Sequence, residues 1–330
     1  MKRRRAYLVL ALLATAAMAS LLLSLAVGSL ALTPGETWQA LWRGDDGMAA
    51  EVVRGLRLPR ALSAFACGGL LALAGALMQV LLRNPLADPY VLGISGGAAA
   101  GALAAMLFGV SAHFGLQAAA FAGALMAMWL VFGLARGDGS WTQTRLLLTG
   151  VIVAAGCGAA VALMLSLAPD QQLRGMLFWL MGDASQAGDP LPALLILSAG
   201  MVLALYFARE LNLLTRGPLL AATLGANVAR LRWILYFLAS LLTATAVTSV
   251  GSVGFVGLVV PHLARLALGN DQRLLLPAAM LAGGALLTLA DTLARSVIAP
   301  QQLPVGVLTA LIGVPVFLFL LARAPKVEAT

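Results

Sequence analysis

Apolar runs long enough to cross a bilayer alternate with short polar breaks over the whole chain. A helix needs about 20 apolar residues to span the hydrocarbon core. Reading the runs against their polar punctuation predicts about ten spans: Tyr7–Leu32, Ala61–Leu82, Leu92–Val110, Leu116–Ala135, Leu146–Ala168, Leu191–Ala208, Trp233–Val250, Val253–Leu268, Leu274–Ser296 and Leu303–Ala322. The expected fold class is an all-α, polytopic membrane protein, with residues 1–330 forming a single transmembrane domain. Two runs are broken by glycine or proline. Leu92–Val110 opens with Gly93, Gly96, Gly97 and Gly101, and Val253–Leu268 contains Gly254, Gly257 and Pro261. Interrupted segments of this kind point to a pathway.

Composition agrees with this reading. The chain is 61% hydrophobic and 10% charged, with a mean hydropathy of +0.96, which leaves almost nothing for a soluble module. In a soluble protein a net charge of +8 would suggest nucleic acid. Here the charge sits in short interspan loops, so it reads as orientation, with the lipid bilayer as partner and no nucleic acid. An even number of spans puts both termini on one side. Lys2, Arg3, Arg4, Arg5, Arg83, Arg136, Arg145, Arg209, Arg216, Arg230, Arg232, Arg265, Arg273, Arg323 and Lys326 fall on that side, 15 of 21 basic residues; Arg43, Arg54, Arg57, Arg60, Arg174 and Arg295 fall on the other. Both termini are therefore expected in the cytoplasm. The first run continues to Leu32 without a convincing cleavage site, so it is expected to stay as a span.

Chemistry-bearing motifs are sparse. No GxxxxGK[ST] phosphate loop, HExxH, CxxC or nucleophile–base pair occurs, so neither ATP binding nor catalysis is expected of the chain, and no catalytic residue, metal site or cofactor is assigned. Cys67 and Cys157 lie in apolar runs and read as packing residues. Asp291 is the one acidic residue deep in a span, and an i,i+4 pair with Arg295 would keep it ionised. A secondary transporter would need more buried ionisable groups than this.

The longest polar break is Arg209–Trp233, with four arginines and one glutamate. Within it Pro218–Val228 has the composition of a short cytoplasmic helix. Arg83–Gly101, RNPLADPYVLGISGGAAAG, reads as a capped turn between two spans, with Pro85 and Pro89 keeping it extended.

Several strings taken together resemble one family. RNPLADPYVLGISGGAAAG is similar to the first signature of the bacterial FecCD/BtuC-like permeases, the membrane subunits of ATP-driven importers for iron siderophores, haem and cobalamin. Gly251–Arg265, GSVGFVGLVVPHLAR, resembles the second signature, and Leu303–Leu321 resembles the last span. Trp179–Gly182, WLMG, and Asp291–Arg295, DTLAR, fall in family order. The resemblance covers about Arg57 to Leu321.

It implies a homodimer with the pathway at the subunit interface, two cytoplasmic ATPase subunits and a periplasmic binding protein, in the bacterial inner membrane. It implies docking of the binding protein's glutamates at Arg57, Arg60 and Arg295. The ATPase contact would fall in the coupling segment 209–232, at Leu219, Leu220, Ala222, Leu224, Gly225 and Asn227. Thr142 and Gln143 would lie at a cytoplasmic gate. From its place after the fifth span on the outer side, Arg174 reads either as a contact for an acidic ligand, such as a haem propionate, at the pathway entrance or as an anchor to lipid headgroups. Two departures stand out. Gln301 and Gln302 occupy a loop that often carries glutamate, and Leu219–Thr223, LLAAT, lacks the acidic residue common there. The expected cargo is an iron chelate, ferric siderophore or haem, with cobalamin as the alternative.

Overall fold

The computed structural model describes residues 3–28, 32–42, 47–110, 113–135, 142–299 and 301–323. The described residues form helices, with no strand. They are α1 (Arg3–Ala26), α2 (Pro34–Trp42), α3 (Met48–Leu81), α4 (Ile94–Leu107), α5 (His113–Ala135), α6 (Gln143–Leu167), α7 (Asp170–Met181), α8 (Leu191–Tyr206), α9 (Ala208–Thr215), α10 (Pro218–Thr223), α11 (Val228–Val250), α12 (Val256–Leu268), α13 (Gln272–Ser296) and α14 (Val305–Arg323). Without water in the bilayer, each span must satisfy its own backbone, and a helix does so. Six helices (α1, α3, α5, α6, α11 and α13) are long and apolar enough to cross; α8 and α9 form a further candidate bent by 64°, and α4, α12 and α14 are shorter apolar helices. These segments follow the order of the ten predicted spans. Polar side chains start several of them: Thr142, Asn227 and Asp271 accept from the backbone N–H groups of Arg145, Arg230 and Arg273, as N-caps do.

Boundaries differ in places. The first span ends at Ala26 rather than Leu32. The short helix α2 follows, opened by a capping box in which the backbone N and Oγ1 of Thr33 donate to Glu36 Oε2 at 2.7 and 2.9 Å. Helix α3 begins at Met48, well before Ala61, and passes through a π turn at Glu51–Arg57. Pro59 has no N–H to donate, and the wider turn before it accommodates that gap. The expected helix Pro218–Val228 stops at Thr223, because Gly225 takes a left-handed φ of 86° and a new helix starts at Val228.

Helix α3 is the axis of the subunit. In its apolar stretch 89% is buried, against 11% for α6. It packs on α13, α11 and α12. Gly68 of α3 faces Gly283 of α13, and Gly75 faces Gly257 of α12, so closely that a methyl group on either would overlap the opposite backbone. Small residues hold helices together where lipid offers no hydrophobic drive.

The two interrupted segments meet each other. Ser95 Oγ and Ser252 Oγ are 3.0 Å apart. Tyr90 Oη both donates to Val253 O and accepts from Val253 N, each at 2.9 Å. The unwound stretch before α12 is thus satisfied by protein, as irregular backbone at membrane depth must be.

Candidate functional site

Three places bring the predicted residues together. At the end that the charge count assigns to the outside, Arg57, Arg60 and Arg295 line one cavity of about 260 Å³ with Gly28, Val52 and Gln302. Arg57 leaves the π turn and is 5% exposed, with Nη1 donating to Leu25 O at 2.8 Å and Ala26 O at 3.1 Å. These are carbonyls at the C-terminal end of α1, where a cation is favoured. Arg60 grips Asp291 through Nε (2.9 Å to Oδ2) and Nη2 (2.8 Å to Oδ1). Its Nη1 donates to Gln302 Oε1 at 3.0 Å.

Arg295 Nε lies 3.9 Å from Asp291 Oδ2, and its Nη2 donates to Ser24 O and Ser24 Oγ. The i,i+4 pair expected between Asp291 and Arg295 is present, but Arg60 is the stronger partner. Asp291 is 1% exposed, and such a carboxylate has to be paired. Arg60 and Arg295 thus share one carboxylate, so the two guanidiniums outnumber the charge between them.

Beside this cluster lies a larger cavity of about 920 Å³, lined by Arg174, Phe178, Trp179, Gln301 and Gln302 among others. Arg174 projects from α7, with its guanidinium carbon 5.7 Å from the centre of the Phe178 ring. Asp183, the acidic residue in the same wall, is engaged by Ser185 N and Ser185 Oγ at 2.8 and 2.6 Å. Gln302 borders both cavities. Sequence reasoning marked Gln302 only as a missing glutamate; its link to Arg60 crosses 242 positions and has no local signal.

The segment expected to meet the ATPase lies at the opposite end. Leu219, Leu220 and Leu224 are 80%, 43% and 57% exposed, Ala222 is also exposed, and Ala221 is buried beneath them. Asn227 is exposed beside them, and its side chain also caps α11. Behind the segment α11 is pinned by aromatic contacts. Trp233 lies 3.8 Å, centre to centre, from Phe132 of α5 and stacks on Phe237 at 5.2 Å, and Tyr236 Oη donates to Met128 O at 2.8 Å. Displacing the start of α11 therefore moves α5 as well.

The predicted gate residues sit nearby. Gln143 Nε2 donates to Leu81 O at 3.1 Å, which ties the start of α6 to the end of α3, and Thr142 caps α6. In the turn after α3, Asp88 accepts from Tyr90 N at 2.7 Å. Burial nevertheless pushes its carboxyl up to about 6. His262 is half-buried with Nδ1 unpartnered. Among the described residues no group of three His, Cys, Asp or Glu side chains gathers as for a metal. Arg43, Arg136 and Lys326 lie outside the described residues, as does the side chain of His113.

Comparisons with known proteins give the family. The chain belongs to the FecCD transport family, which matches residues 16–323. It is 42% identical over 305 residues to the hemin transport system permease protein HmuU of Yersinia pestis, covering 90% of each chain. It is 41% identical over 275 residues to the cobalamin import system permease protein BtuC of Halobacterium salinarum, covering 82% of this chain and 74% of that one. A solved structure of a metal-chelate type ABC transporter in an inward-facing conformation superposes with a TM-score of 0.83 at 31% identity, over 96% of this chain and 99% of the other. The protein is a polytopic membrane protein of the permease type.

Proposed function

We propose that the chain is the membrane-spanning subunit of an ATP-driven, binding-protein-dependent importer of the bacterial inner membrane. Two copies would form the pathway and work with two cytoplasmic ATPase subunits and a periplasmic binding protein. The observation that carries this reading is the pairing of a basic pocket at one end with exposed leucines at the other, in a chain that matches its family over residues 16–323.

Each end has a physical logic. A carboxylate from a binding protein would find surplus guanidinium charge around Asp291, and Arg–carboxylate pairing is directional enough to orient a docked protein. Arg60 is the best placed of the three, being 15% exposed with one Nη on Gln302. Leu219, Leu220 and Leu224 would enter an apolar groove on the ATPase, and the continuous path through Trp233 to α5 would carry its movement into the bundle. Thr142 and Gln143, close to that path, would narrow the inner exit.

The cargo we assign is an iron chelate, ferric siderophore or haem. The 42% identity to a hemin permease supports this, as does Arg174, a cation on the wall of the outer cavity suited to a carboxylate such as a propionate. Cobalamin is the second reading, supported by the 41% identity to a cobalamin permease.

The test is uptake into proteoliposomes holding this chain and its ATPase, supplied with binding protein loaded with haem, ferric siderophore or cobalamin. ATP-dependent accumulation of an iron chelate is expected. Uptake that persists with an inactive ATPase would sink the importer reading; ATP-dependent uptake of cobalamin alone would replace the cargo and leave the rest.

A further inference from the structure

The geometry points to a binding site for the phosphate of an anionic phospholipid in the cleft between α9 and the start of α13. Helix α8 is apolar throughout, and the chain then bends by 64° into α9. Helix α9 is two-faced: Ala208, Leu211 and Leu214 are buried against the bundle, whereas Arg209 is exposed, as is Arg216 just past its end. Arg209 follows directly on the apolar α8, and Arg273 stands in the first turn of the span α13, which puts these arginines at the level of the lipid headgroups.

Across the cleft, Asn270 and Asp271 lead into α13, and Arg273 stands exposed in its first turn. The cavity between them measures about 550 Å³, and Arg209, Arg216 and Arg273 all line it. Its floor is fixed by Asn212 of α9. Asn212 Nδ2 donates to Asp271 Oδ1 and Asn212 Oδ1 accepts from Gln272 N, both at 2.9 Å. Asp271 Oδ1 also accepts from Arg273 N at 3.2 Å. The one carboxylate in the wall is therefore engaged as a helix cap. Nearby Glu210 does not line the cleft, and its Oε2 is buried. Among the described residues none of the three guanidiniums is in ion-pair contact with a carboxylate.

Three arginines against one carboxylate leave two surplus positive charges converging on a built cavity. Guanidinium forks match phosphate oxygens, and basic clefts between helices at the membrane surface take anionic headgroups. A soluble anion would satisfy the charge alone; the cleft's place at the ends of two apolar spans selects the lipid. Bound there, the headgroup would clamp α9 to α13 just before α10. This site does not depend on which ligand is transported.

The test uses the full-length chain in neutral detergent. Phosphatidylglycerol should raise its unfolding midpoint while phosphatidylcholine and inorganic phosphate do not. The variant Arg209→Gln, Arg216→Gln, Arg273→Gln should lose most of that shift, with apparent affinity falling about fivefold per arginine. Native mass spectrometry of the unaltered protein, from an equimolar mixture of the two lipids, should show phosphatidylglycerol adducts in excess. Equal retention of both lipids, an undiminished shift in the variant, or the same shift from inorganic phosphate would each overturn the site. So would a variant that keeps the lipid response but no longer co-purifies with its ATPase, since the cleft would then be a protein contact.

Discussion

At the outer end, Asp291 sits 1% exposed between Arg60 and Arg295, and Arg57, Arg60 and Arg295 each reach a partner on another helix. At the inner end, Leu219 stands 80% exposed on a six-residue helix flanked by glycines of positive φ, Gly217 and Gly225. One surface is prepaid in charge and fixed by its surroundings. The other is apolar and rests on one short turn. In the proposed scheme the outer partner is recognised electrostatically and reversibly, and the inner partner by shape and buried apolar area, which salt does not screen.

The most severe way to break this contrast is to place charge on the apolar end. Leu219→Glu with Leu220→Glu forfeits about 1.5–3 kcal/mol for each leucine that the partner would bury. Affinity for the ATPase should fall more than about a hundredfold, with binding-protein docking unchanged. Co-purification of the two subunits measures the first, and titration of the binding protein the second. Transport that survives this pair would reduce the segment to a turn.

Next in size is removal of the outer carboxylate. Asp291→Ala leaves two guanidiniums without their counter-ion and should lower stability by about 3–5 kcal/mol, as breaking buried ion pairs does. Thermal unfolding would report it, and an unchanged midpoint would mean that the pair contributes little.

Arg60→Gln sharpens the comparison more gently. Losing a charge-assisted contact costs about 1.5–3 kcal/mol, so binding-protein affinity should drop at least tenfold, with a shallower dependence on salt. Each arginine also has a structural partner, Arg57 at the end of α1 and Arg60 at Asp291, so the loss of docking is read beside the unfolding midpoint. Raising the ionic strength should weaken docking in the unaltered protein and leave the ATPase contact in place.

The smallest effect concerns a half-buried carboxyl, Asp88. Asp88 has a backbone N–H where Asp291 has two arginines. Its folded carboxyl keeps its proton up to about pH 6, while the unfolded chain releases it near 3.8. The native state therefore loses stability as pH rises across that interval, and the loss is complete above it. Asp88→Asn keeps an acceptor for Tyr90 N and removes the penalty. The variant should gain no more than about 3 kcal/mol near pH 7.5 and nothing near pH 3.5; an equal gain at both would refute burial as the cause.

The order and helical nature of the spans were legible, because the bilayer demands long apolar helices and charge marks their ends. Which helix is central was not. Helices α3 and α6 are both rich in Ala, Gly and Leu, and lipid removes the contrast between inward and outward faces that reveals a core in water. The basic pocket was legible through the resemblance and through arginines on the side that charge normally avoids. The pairing within it was only half legible: Asp291 and Arg295 are one turn apart, whereas Asp291 and Arg60 are separated by 231 positions. Helix α2 did have a signal, since Thr33 and Glu36 stand at capping-box spacing. The end of α10 had one too in Gly225, although only the backbone reveals that the glycine turns left-handed there.

Gln302 touches Arg60 with its oxygen and forms part of the wall of the large outer cavity. A side chain common to two compartments makes them a single thermodynamic system. If a docked carboxylate draws Arg60 away from Gln302, the amide is released into the cavity, and the cavity's affinity for its contents changes by some factor. Linkage requires the reverse by the same factor: a molecule in the cavity that recruits the amide must tighten or loosen the docked protein. Delivery and reception would then be two readings of one equilibrium, with the sign of their exchange set by a neutral glutamine.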